Sequence, residues 1–163
     1  PDEYATFGRA PNLRSTPPCS KKLIAALSLS TALSVAQIAH AGPAADAASA
    51  HFQAIGSGDL NQLMVAYAAD AQLSWVGGPL DGRYQGADSI GQLWQRFTKA
   101  QGPLQVSQAA VQEATNPKGA TVTADVRFTG KQPINVRYVL TYRAGKIASE
   151  TWQVVPASAA NAH

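Results

Sequence analysis

His51, Tyr138 and Glu150 are the side chains whose types could together move a proton. An imidazole titrates near neutral pH and can serve as general acid or base. His51 sits beside Phe52 and one turn from Ile55, at the edge of an apolar helical face, so a plain helix-surface histidine is the competing reading. Glu150 shares a strand side with Trp152. If Trp152 points inward, Glu150 does too, and a buried carboxylate needs a partner or a raised pKa. A salt bridge from Glu150 to Arg127 or Arg137 on neighbouring strands is the alternative. Tyr138 falls on an alternating apolar face and is a candidate hydroxyl donor to a developing oxyanion. Asp70 could act as a base, but its place just past a helix suits a turn-capping acid better.

A second set could hold a ligand rather than transform it. Trp75, Trp94, Phe97, Tyr138 and Trp152 offer broad apolar surfaces suited to a flat molecule, and core packing is the alternative for each. No metal centre is expected, because the other histidines are His40 and His163, and no cofactor is implied.

These residues must be positioned by elements legible in the spacing. Ala48, Phe52 and Ile55 fall on one face of a helix over 45–55, stopped by Gly56-Ser57-Gly58. Asp59 and Gln62 resemble a capping box, and Leu60, Leu63, Met64 and Tyr67 continue as a second helical stripe. Gln72 to Val76 reads as a short edge strand, followed by a loop through Gly86. Ile90, Leu93, Trp94 and Phe97 mark a third helix, ended by Gly102-Pro103. Four strands follow, at 104–113, 120–129, 134–143 and 146–155, separated by turn-forming residues. Helices first and antiparallel strands afterwards predict an α+β domain over 42–156, with helices on one face of a meander.

The preceding residues read as a leader. Lys21-Lys22 precede an apolar run ending in Ala39-His40-Ala41, which predicts a signal peptide over 21–41, cleaved before Gly42, and a periplasmic or secreted protein. A membrane span is the weaker reading, since the run holds Ser28, Ser30, Thr31, Ser34 and Gln37 and no basic stop-transfer sequence follows. Residues 1–20, of unassigned origin, and the tail 157–163 are expected to be disordered. Cys19 lies ahead of the apolar run, so residues 42–163 contain no cysteine and no thiol nucleophile. Of 13 basic and 10 acidic residues, Arg9, Arg14, Lys21, Lys22, Asp2 and Glu3 lie in the leader, leaving nine against eight. The basic balance is thus largely a property of the leader, and no basic stripe argues for nucleic acid.

Several short stretches carry a family likeness: Gly58-Asp59-Leu60, Tyr67-Ala68-Ala69-Asp70-Ala71, the run from Arg83 to Ile90, and Gly145-Lys146-Ile147. With this element order, residues 45–155 resemble the nuclear transport factor 2-like superfamily, in particular SnoaL-like domains and ketosteroid isomerases. The resemblance implies three helices on a curved antiparallel sheet, a cone enclosing an apolar pocket, and a homodimer formed through the sheet. It leaves activity open, since the superfamily holds isomerases, cyclases, dehydratases, hydrolases and non-catalytic binders. Ketosteroid isomerases use an aspartate base, a tyrosine and a protonated acid. Alignment on Asp59 and Asp70 puts Trp75, His51 and Tyr138 at or near those places, so none of the three residue types survives and steroid isomerisation is set aside.

Two functions follow as expectations. One is an exported domain binding a small, mostly apolar molecule between the five aromatic walls. The other is an acid/base enzyme, isomerase-, cyclase- or dehydratase-like, using His51 and Glu150 with Tyr138 as donor.

Overall fold

The computed structural model describes residues 42–156; the leader, the signal segment with its cleavage point, and the tail lie outside the described residues. Helix α1 spans Pro43–Ser57. Proline in its first turn suits a position whose N–H has no helical partner. Gly42 offers no side-chain cap, and the Glu113 carboxylate supplies one from across the fold, accepting from the Ala45 N–H at 2.8 Å. Gly58 ends the helix in the left-handed region at φ 74°, and the N–H groups of Gly58 and Asp59 return to the carbonyls of Ile55 and Ala54. Gly56 is required by close approach: a Cβ there would lie 2.4 Å from Val106 Cγ2 and 2.8 Å from the Leu104 carbonyl oxygen.

Helix α2, Leu60–Val65, starts at Asp59, whose side chain accepts from the Gln62 N–H at 3.0 Å. The helical stripe predicted through Tyr67 stops short. The Ala66 carbonyl accepts from the Ile147 N–H at 2.8 Å, and Tyr67 opens strand β1, Tyr67–Val76. Sheet pairing thus overrides a continued helix. Asp70 is exposed inside this strand, not on a turn after a helix.

β1 is also not the edge. Strand β2, Gly82–Gln85, forms within the segment read as loop and pairs antiparallel with β1. Helix α3, Ala87–Gln101, buries Ile90, Leu93, Trp94 and Phe97 as its stripe requires. The meander β3 (Gln105–Asn116), β4 (Gly119–Thr129), β5 (Pro133–Arg143) and β6 (Lys146–Val155) completes the order β2-β1-β6-β5-β4-β3. The β1–β6 pair is parallel, so the sheet is mixed rather than wholly antiparallel. A parallel joint is available because β2, α3 and strands β3 to β5 lie in sequence between β1 and β6, a connection long enough to let the two run the same way.

Two register shifts coincide deep in the sheet. β6 gains one residue, Ala148, between the pairs Thr141↔Ser149 and Tyr142↔Ile147, and β1 shifts between Tyr67 and Gln72. An extra residue reverses which side the following chain faces. Ile147 and Glu150, of opposite parity, therefore both point inward, together with Trp152.

Candidate functional site in the helix-covered face

Four elements meet at Glu150. From α1, His51 Nε2 lies 3.2 Å from Glu150 Oε2. From β1, the Tyr67 hydroxyl donates to the same oxygen. From α3, the Trp94 indole N–H donates to the Tyr67 oxygen at 2.8 Å. His51 and Glu150 are 3% and 1% exposed, so the pair is fully sequestered. Burial, the adjacent Glu150 charge and its hydrogen bond hold the Tyr67 hydroxyl well above the usual tyrosine range, the Trp94 bond opposing only in part. Burial first and the Glu150 charge second do the same to Tyr138. Both phenols are therefore neutral donors at physiological pH.

The constellation has open valences. His51 Nδ1, Glu150 Oε1, Tyr138 Oη, Tyr142 Oη and Trp152 Nε1 are buried with no hydrogen-bond partner among the described residues. Each such atom ordinarily costs about 1–3 kcal/mol of desolvation. The expected bridge from Glu150 to Arg127 or Arg137 does not form: Glu150 faces the helices, and Arg137 lies on the opposite face, where its Nε and Nη2 donate to Asp125 at 2.9 and 3.1 Å.

The aromatic residues pack on one another. Trp152 stacks on Trp75 with ring centroids 4.2 Å apart and on Phe128 at 5.2 Å, and meets Tyr138 edge-on at 5.3 Å. Trp94 and Phe97 close the same cluster from α3. Of the five predicted ligand walls, Trp75 and Phe97 reach a cavity of about 320 Å³, with Leu80, Ala100, Ile134 and Val154 also on its lining. Trp94, Tyr138 and Trp152 are wholly buried behind them. The Trp75 N–H donates to the Gly77 carbonyl at 3.0 Å, which fixes the indole at the rim.

The structure thus brings His51 and Glu150 into contact and places Tyr138 on the same inner face, its ring 4.5 Å from that of Phe52. Sequence reasoning missed Tyr67 and the polar role of Trp94. A signal for Tyr67 existed: Tyr67, Ala71, Leu73 and Trp75 share strand parity, which competes with the helical stripe over the same residues.

The model of the SnoaL-like domain matches residues 48–150, well over half of the chain, and the protein belongs to that family. Solved structures agree on the fold. An NTF2-like protein of unknown function from Pseudomonas putida KT2440 is 18% identical with a TM-score of 0.58, over 66% of this chain and 81% of its own. A protein with a cystatin-like fold from Nostoc punctiforme is 13% identical at 0.56, over 69% and 88%. A ketosteroid isomerase-like protein from Erwinia carotovora atroseptica is 18% identical at 0.55, over 68% and 92%. None of the curated proteins matches the chain.

Proposed function

We propose that this SnoaL-like protein binds a small, mostly apolar molecule at the mouth of its curved sheet. The cavity beside Trp75 and Phe97 carries the reading: its volume of about 320 Å³ falls in the range of small-ligand sites, and its lining is almost wholly apolar. A flat ligand would stack near Trp75, whose single donor is already committed to Gly77. The proposal includes export through segment 21–41 to the periplasm or beyond, and a homodimer formed through the sheet. Titration with indole and naphthalene tests it, read as a saturable rise in melting temperature. A ligand at 100 times its dissociation constant adds about 2.7 kcal/mol. Leu80→Asp, which sets a charge at a half-buried position on the cavity lining, should abolish the rise in a variant that remains folded.

A second reading is favoured by one observation, the buried His51–Glu150 pair with an open atom on each partner. Such a pair suits acid/base chemistry of the isomerase, cyclase or dehydratase kind, with Tyr138 donating to an oxyanion. Loss of turnover in Glu150→Gln, with the fold retained, would support it once a substrate is in hand.

A further inference from the structure

We propose that Tyr67 and Trp94 are positioning residues that fix the tautomer of His51, leaving Nδ1 as the ring nitrogen that gives and takes a proton. The inference deepens the acid/base reading and rests on it for its chemical purpose, but its geometry can be measured without any substrate.

One chain of hydrogen bonds runs from Trp94 through Tyr67 to Glu150. An indole nitrogen can only donate, so the Trp94 bond makes the Tyr67 oxygen an acceptor. The phenol has one hydrogen, and it goes to Glu150 Oε2. Glu150 Oε2 thus accepts the phenol hydrogen, and an ionised carboxylate offers only lone pairs to its neighbours. His51 Nε2 meets the same oxygen at 3.2 Å. Against a carboxylate oxygen that nitrogen must carry its hydrogen, so the neutral ring has its lone pair on Nδ1, the nitrogen without a protein partner. The groups facing Glu150 from the remaining element do not disturb this. On β5, Tyr138 and Tyr142 lie two residues either side of Leu140, the register partner of Glu150, and both are neutral phenols with raised pKa values.

Without the Tyr67 hydroxyl, Glu150 Oε2 loses the donor that shares it with His51 Nε2. The carboxylate is then free to turn, and the Nε2 contact that selects the tautomer loosens. Tyr67→Phe is therefore the stronger variant, reducing the excess of the Nε2–H tautomer. Trp94→Phe is the milder one, since it frees the Tyr67 hydroxyl to rotate.

The test is nitrogen NMR of the protein labelled at histidine, with the His51 signals assigned by comparison with His51→Gln. In the wild type at neutral pH the Nε2–H tautomer should exceed the other by at least tenfold. In Tyr67→Phe that excess should fall about tenfold, which is about 1.4 kcal/mol. A wild-type ring protonated mainly on Nδ1 in its neutral form would overturn the inference, whether or not either variant folds. A ratio unchanged in folded Tyr67→Phe and folded Trp94→Phe would also overturn it. A wild-type tautomer as stated, in a protein for which Glu150→Gln alters no reaction, would leave the positioning intact and remove the acid/base reading.

Discussion

Trp75 of β1 and Trp152 of β6 are paired across the parallel joint of the sheet and stack with centroids 4.2 Å apart and planes 16° from parallel. This contact ties the early half of the sheet to the meander and forms the floor behind the mouth cavity. Trp75→Ala should cost about 3–5 kcal/mol in urea unfolding, as large-to-small aromatic changes in packed cores do. A loss below about 1 kcal/mol would show that the joint does not depend on the stack.

Breaking the buried pair at one partner should be as damaging. Glu150→Ala leaves His51 and the Tyr67 hydroxyl without their acceptor, and a loss of about 3–5 kcal/mol is expected. Arg137→Ala, which removes an exposed pair on the other face, should change the urea midpoint little. Comparable midpoints for the two variants would contradict the network.

Tyr138→Phe separates structure from function. Its hydroxyl is buried without a partner, so removing it should leave stability unchanged or slightly raised. If Tyr138 serves a bound oxyanion, turnover falls while the melting temperature holds. A destabilised variant would reveal a hydrogen bond that the phenol makes within the fold.

Alkaline pH should weaken the fold in a set direction. The folded-state pKa values of Tyr67, Tyr138 and Tyr142 lie above the unfolded value near 10, so between the two values the native state holds more protons. Their contribution is complete below about pH 10 and falls as pH rises beyond it, by up to about 1.4 kcal/mol per pH unit for each tyrosine. Chemical denaturation from pH 8 to 11 checks this, and Tyr138→Phe should flatten the slope by one tyrosine's share.

Much of this molecule was legible in its spacing. The alternation of Val122, Ala124, Val126 and Phe128, and of Val136, Tyr138, Leu140 and Tyr142, places the inward faces of β4 and β5 correctly. The stripe from Ile90 to Phe97 does the same for α3, because one apolar face with a glycine stop admits a single reading. Tyr67 was hidden because it satisfies helical and strand spacing at once, and only the bond between Ala66 and Ile147 decides between them. β2 was hidden because Gly82, Arg83, Tyr84 and Gln85 carry little apolar signal, and pairing with β1 makes the strand. Glu150 was placed inward from Trp152, but its partners His51 and Tyr67 belong to α1 and β1 and are set by packing that no local period records. The cap that Glu113 provides for α1 is of the same kind, joining residues 68 apart in sequence.

The proposed function is tested most directly by titrating the purified protein with naphthalene while following its melting temperature, alongside Leu80→Asp. The cavity beside Trp75 and Phe97 predicts a saturable rise in the wild type and none in the variant. No rise in either protein, or an equal rise in both, would contradict it.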